Sequence, residues 1–155
     1  MLDIDKAWAA GIIDGEGSIF VMTQKRKDRE RDTNYILRVS VQSTDPFMTA
    51  ELKKLWPDGA EFSVNRFQNE NWSDTMKWQL AGNRATRFLK EILPFMRVKQ
   101  SQAALAIEFQ ETTKKHWRRM EPSDYENQKR LCLALKQAKI DLKIGKTPKG
   151  NINGN

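Results

Sequence analysis

Ala9-Ala10-Gly11-Ile12-Ile13-Asp14-Gly15-Glu16-Gly17 is the stretch on which the reading of this chain turns. Ala7, Ala10, Gly11 and Asp14 recur at spacings of three and four, so on a helix they share one face as a stripe of small side chains. Such a stripe lets two helix backbones approach closely, and these four residues are the expected dimer interface. Gly15 and Gly17 stop the helix and present Glu16 between them. A carboxylate just past a helix C-terminus meets the negative end of the dipole, and a two-fold axis beside the helix would bring a second Glu16 near it. A divalent cation relieves both effects. It takes hard oxygen ligands, here Glu16 and a loop carbonyl such as that of Gly15, with phosphodiester oxygens to complete the shell. The plainer alternative, a glycine-terminated helix with two solvated acids, accounts equally well for Asp-Gly-Glu-Gly taken alone.

Outward from this stretch the pattern alternates between helix and hairpin. A short helix over residues 5–14, with Asp3 or Asp5 as its cap, turns Trp8 and Ile12 to an apolar face. Residues 18–25 alternate, Ile19 and Val21 against Phe20, Met22 and Gln24. Residues 35–42 alternate more cleanly, Tyr35, Leu37, Val39 and Val41 against Ile36, Arg38, Ser40 and Gln42. Asp45-Pro46 begins a helix that Pro57-Asp58-Gly59 ends. A second strand pair follows, near 61–67 and 75–80. Asn83 is the expected cap of the next helix, which Pro94 closes. Residues 101–119 form a long helix with a supporting Glu111–Lys115 pair. Ser123 with Glu126 reads as a capping box for a last helix carrying Leu131, Leu135 and Leu142. The expected fold is α+β, a four-stranded antiparallel sheet with helices on one face and two C-terminal helices added. One domain spans 1–143, and 144–155 is a flexible basic tail.

The 27 Lys and Arg against 20 Asp and Glu leave a net charge of +7, which favours a polyanionic partner. No apolar stretch approaches the ~20 residues of a membrane span, and the acidic N-terminus lacks the pattern of a secretory signal. The expectation is an intracellular, non-secreted protein without a membrane partner, in which Asn71-Trp72-Ser73 is a chance glycosylation match. The one cysteine, Cys132, reads as a helix-core residue and excludes disulfides and thiolate zinc sites within the chain. The one histidine, His116, excludes nuclease chemistry built on paired His or on His–Cys zinc boxes. Gly145-Lys146-Thr147 lacks the upstream glycine of a phosphate loop, since position 140 is Ile.

The uncovered sheet face should be polar, and its residues are long donors and acceptors. Gln24 and Arg26 come from the first strand, Arg38, Ser40 and Gln42 from the second, and Lys77 and Gln79 from the fourth. Together with Arg66, these suit base edges and phosphates in the major groove of double-stranded DNA. The tip Lys25-Arg26-Lys27-Asp28-Arg29-Glu30-Arg31 adds five basic residues at one end. A simply solvated face would look similar.

Taken whole, the nine residues resemble the LAGLIDADG motif of homing endonucleases. They match it at the three small positions, both apolar positions, both acids and the final glycine, with Ala9 for the first leucine and Glu16 for the last aspartate. The helix–hairpin–helix–hairpin–helix order resembles that family over about residues 5–120. Leu93-Pro94-Phe95-Met96-Arg97-Val98-Lys99-Gln100 is similar to its second recognisable segment. The resemblance implies an αββαββα fold whose sheet forms a saddle over DNA, with Glu16 holding Mg2+ (or Mn2+) and Lys99 near the cleavage site. It also implies that Asp45 orders water near the cleaved phosphate, although Asp45 serves equally as an N-cap before Pro46. A basic family position on the following helix is lost near Thr49. One motif copy implies a homodimer on a palindromic or nearly palindromic target, with a staggered, metal-dependent double-strand cut. The rival on the same scaffold is a maturase that binds host intron RNA, or a non-cleaving DNA-binding regulator. Glu16 and Lys99 argue for cutting, since a binding protein needs neither.

Overall fold

The computed structural model describes residues 1–25, 33–64, 74–114 and 121–143. Its sheet follows from two hairpins. Strand β1 (Gly17–Lys25) pairs antiparallel with β2 (Thr33–Ser43), Gly17 opposite Val41 and Lys25 opposite Thr33. Strand β3 (Ala60–Val64) pairs with β4 (Thr75–Ala81), and β4 joins β2 with Val39 opposite Leu80, giving the order β1-β2-β4-β3. Because side chains alternate, this register puts Ile19, Val21, Leu37, Val39, Val41, Trp78 and Leu80 on one face, all buried. The other face carries Ser18, Phe20, Met22, Gln24, Asn34, Ile36, Arg38, Ser40, Gln42, Lys77 and Gln79.

Among the described residues five α-helices accompany the sheet: α1 (Asp3–Gly15), α2 (Pro46–Leu55), α3 (Gly82–Ile92), α4 (Gln100–Lys114) and α5 (Pro122–Lys143). A 3-10 turn, Leu93–Phe95, separates α3 from α4. The core is knit around Trp78. Its ring meets Phe88 edge-on at 5.2 Å, and Phe88 meets Trp56 at 4.9 Å. Gly59 makes room for this cluster, since a Cβ there would lie 2.1 Å from Trp78 Nε1. Lys53 fixes the same turn by donating from Nζ to the carbonyls of Pro57 and Gly59. Between α4 and α5, Gln128 Nε2 donates to Thr113 Oγ1 at 3.1 Å, and Leu131, Cys132 and Leu135 are buried. Among the described residues no helix is long and apolar enough to cross a membrane.

Helix starts differ from the sequence expectations in instructive ways. Helix α1 begins at Asp3, and Asp5 acts from inside the first turn, its carboxylate accepting from the Leu2 N–H at 2.9 Å. Trp8 stands half-exposed, while Ala9, Ala10 and Ile13 are the buried residues of α1. Asn83 does not cap α3. The chain turns into that helix at Gly82 with φ of 56°, a left-handed conformation that glycine adopts without strain, and Asn83 Oδ1 accepts from Gln110 Nε2 instead. Helix α5 starts one residue before Ser123, at Pro122, and Asp124 rather than Glu126 reaches back to the Glu121 N–H. Glu111 pairs with Lys90 on α3, while Lys115 lies outside the described residues.

Candidate active site and nucleic-acid face

The site grows from the end of α1. Glu16 is the C-cap residue, with φ −106° and ψ −13°, and its N–H closes the helix onto the Ile12 carbonyl at 2.8 Å. Its side chain is exposed, as is Gly15 beside it. The next residue must be glycine, because a Cβ at Gly17 would sit 2.6 Å from Ile13 Cα and 2.8 Å from Ile13 O. This close approach turns the chain sharply from α1 into β1 and holds Glu16 at the corner.

Asp14 determines what lies next to that corner. Its carboxylate accepts three backbone N–H groups of the loop before α4: Arg97 at 2.7 Å, Val98 at 3.1 Å and Lys99 at 2.8 Å. The carboxylate is therefore placed unfavourably at the C-terminus of α1 but favourably at the N-terminus of α4, where unsatisfied N–H groups point at it. Clamped in this way, Lys99 inserts its ammonium between the two sides of the corner and donates to the carbonyls of Ile13 and Gly17, both at 2.8 Å. Burial lowers its pKa. Among nearby charges, Asp14 raises it, Lys139 lowers it and Glu16 raises it. Sequence reading singled out Lys99 and Glu16 without foreseeing that Asp14 links them.

Ala10 of the expected dimer stripe is buried within the chain and offers no surface to a partner, while the partly exposed Asp14 is engaged with the Arg97–Lys99 loop. The outward face of α1 instead carries Ile4, Ala7, Trp8, Gly11 and Gly15, of which Ile4 is 72% exposed. Ala7 and Gly11 of the expected set belong to it. A Cβ at Gly11 or Gly15 would meet nothing within 4 Å, so packing within the chain does not call for glycine at either position.

Asp45 is the N-cap of α2, accepting from Phe47 N at 2.9 Å, while its own N–H donates to Ser43 Oγ. It lies just past the end of β2, at the same end of the sheet as the α1–β1 corner, since Gly17 pairs with Val41. Thr49, where the basic position is lost, is fully buried and donates to the Pro46 carbonyl.

Gln24, Arg38, Ser40, Gln42, Lys77 and Gln79 all fall on the open sheet face. They are not equally available there. Gln42 Nε2 donates to Thr75 Oγ1 at 2.7 Å, and Lys77 lies over the Phe62 ring at 6.0 Å. Ser40, flanked along its strand by Arg38 and Gln42 and across it by Gln79, is only 6% exposed, too little to serve as a leading contact. Arg38 Nε is buried without a hydrogen-bond partner among the described residues. Phe20, Met22 and Ile36 give part of this face an apolar character that the polar residues alone did not suggest. Arg26, Arg66, His116, the hairpin tip 26–31 and the tail 144–155 lie outside the described residues.

No protein-family model and no curated protein matches the sequence. Solved structures do. The chain is similar to the homing endonuclease I-CvuI in complex with the I-CreI target, in the presence of 2 mM Mg with the DNA not cleaved. That match has a TM-score of 0.73 at 18% identity, over 98% of this chain and 87% of that one. It is equally similar to the archaeal intron-encoded homing endonuclease I-Vdi141I complexed with DNA, with a TM-score of 0.73 at 16% identity, over 99% and 90% of the two chains. The LAGLIDADG homing endonuclease I-SmaMI bound to cleaved DNA matches with a TM-score of 0.63 at 18% identity, over 97% of this chain but 51% of that one. The expected α+β architecture is therefore correct, and the chain has the LAGLIDADG homing endonuclease fold.

Proposed function

We propose that this protein is a site-specific DNA endonuclease of the homing type, which grips duplex DNA with its open sheet face as a homodimer and hydrolyses one phosphodiester on each strand. The observation that carries the reading is the corner at 14–17. There an exposed carboxylate, Glu16, stands beside a half-buried ammonium, Lys99, that a separate carboxylate, Asp14, locks in position. A protein that only binds DNA needs Lys99 and Asp14 at most to hold the corner together, and has no need of the exposed Glu16 carboxylate.

The dimer reading rests on the outward face of α1. Ile4, Ala7, Trp8, Gly11 and Gly15 offer an apolar, small-residue surface to a second copy, and glycines with open space above them suit close contact between backbones. I-SmaMI, nearly twice as long as this chain, is consistent with a fold that works in pairs. The expected target is then palindromic or nearly so, because its two halves mirror the protein symmetry.

Among the described residues no three His, Cys, Asp or Glu side chains come together. Glu16 with the nearby Gly15 carbonyl fits half of a centre that a second chain and phosphate oxygens would complete. The chemistry that Mg2+ or Mn2+ would supply when bound there is a lowered pKa for the attacking water and compensation of phosphoryl charge. Glu16 would hold the cation, and Lys99 would donate toward the negative charge that develops as water attacks phosphorus and the P–O bond breaks. Asp14 keeps Lys99 in place, and Asp45 has a carboxylate oxygen left over from its cap for the water near the phosphate. On the sheet, Gln24, Arg38, Gln42, Lys77 and Gln79 face the groove. The protein works on intracellular DNA in this reading.

The test is cleavage of a randomised, near-palindromic duplex library with Mg2+, comparing wild type with Glu16→Gln. Wild type should cut with staggered ends, and the variant should bind but not cut. Cleavage by Glu16→Gln would sink the assignment. Specific binding without cutting by either protein favours the regulator, and preference for structured RNA favours the maturase.

A further inference from the structure

Helix α5 reaches the same corner from the far end of the chain. Lys139 Nζ donates to Ser18 Oγ at 3.0 Å, a contact between residues 121 apart in sequence. Ser18 stands opposite Ser40, on the open face at the start of β1, so the Lys139 ammonium arrives where that face meets the corner. One residue earlier, the Gly17 carbonyl accepts from Lys99 Nζ. Two ammonium groups thus sit on consecutive residues immediately beyond Glu16.

Two cations gathered in this way repel each other, and the Lys139 charge adds to burial in lowering the Lys99 pKa, against the opposing pull of Asp14 and Glu16. Among the described residues neither ammonium is in an ion pair. Lys99 donates only to carbonyls and Lys139 only to a hydroxyl. Of the two acids whose charges act on Lys99, Asp14 has its carboxylate turned to the backbone of residues 97–99, and Glu16 is exposed. Each lysine also has donors left, since an ammonium carries three and these use two and one. Two cations that bond to no carboxylate among the described residues, at the edge of the face proposed to hold DNA, have the composition of a phosphate site.

We infer that Lys139 is a phosphate-binding residue of the DNA interface, donating to a backbone phosphate beside the one that Glu16 and Lys99 address. The inference deepens the endonuclease reading and rests on its DNA face. The competing explanation is that Lys139 merely ties α5 to β1 through Ser18.

The two explanations differ in salt dependence. Each phosphate contact contributes about −0.9 to the slope of log affinity against log salt on duplex DNA. The probe is a random-sequence duplex of fixed length, titrated over a range of salt without divalent metal so that cutting plays no part. Lys139→Met, which keeps the aliphatic stem, should flatten the slope by about 1 per bound chain, and Lys139→Arg should restore it. A steep wild-type slope left unchanged in Lys139→Met, with or without a lower melting temperature, overturns the phosphate assignment alone. A wild type with no salt-dependent affinity removes the DNA reading and this inference with it. Should Lys139→Met fail to fold, Lys139→Gln carries the same comparison. Ser18→Ala, which removes the anchor but not the charge, should keep the slope, and loss of the slope there also overturns the inference.

Discussion

Replacing Asp14 separates architecture from chemistry more cleanly than any other change. Its carboxylate accepts three N–H groups at 2.7, 3.1 and 2.8 Å from a loop more than eighty residues away, and through them it holds Lys99. A hydrogen bond to a charged group is worth roughly 1.5–3 kcal/mol when buried. Two of these three are exposed, so about 1 kcal/mol each is the appropriate scale, and Asp14→Ala should cost about 3 kcal/mol. For a chain of this size that corresponds to a fall in Tm of about 6–12 °C. Asp14→Asn keeps an acceptor but turns an NH2 toward backbone donors, and should cost about 1–2 kcal/mol. With the loop loosened, cutting should fall by about tenfold or more, or at least about 1.4 kcal/mol in the barrier, while duplex affinity changes little. Thermal melting and single-turnover cleavage of a target recovered from the library measure the two effects. An Asp14→Ala protein that melts within about 1 °C of wild type refutes the clamp, because three charge-assisted bonds cannot be lost so cheaply.

Gly17→Ala should destabilise the chain by roughly 1–3 kcal/mol, since its Cβ would press on the Ile13 backbone at 2.6 Å; denaturant melts would reveal it. Gly11→Ala has open space and should stabilise the isolated helix by about 1 kcal/mol, yet shift the protein from dimer to monomer in sedimentation. Unchanged dimerisation would show that the outward stripe of α1 is not the interface. Burial holds the Lys99 pKa below the 10.5 of an ordinary lysine, so between those values the unfolded chain binds the extra proton. Relative to Lys99→Met, wild-type stability should therefore rise with pH through that window, while cutting, which needs the charged form, should decline. Lys99→Arg should move the alkaline loss of cutting to higher pH.

Much of the architecture was legible because it depends on neighbours along the chain. Alternation in residues 35–42 names the buried face of β2, the Asp45-Pro46 pair starts α2, and Gly17 turns the chain out of α1 just past Glu16. Caps were read less well. Asn83 and Ser123 look like caps in sequence, but Asn83 has a partner on α4, and a proline one residue earlier claims the start of α5. For the site, Glu16 and Lys99 stood out through their motifs, while the hold of Asp14 on the loop before α4 did not.

The sequence by itself determined that a carboxylate would stand exposed at the corner between helix and strand, and that a polar sheet face would accompany it. Both follow from local rules, glycine sterics and the period of a strand. Only the tertiary structure decided which side of α1 turns inward. Small residues lie all around that helix, so its pattern of hydrophobicity carries little phase, and core packing of Ala9, Ala10 and Ile13 settled the matter. Only the tertiary structure could also bring residues 97–99 to Asp14 and Lys139 to Ser18. Contacts across 83 to 121 residues leave no periodic trace in a single sequence, because they form where separately folded elements meet.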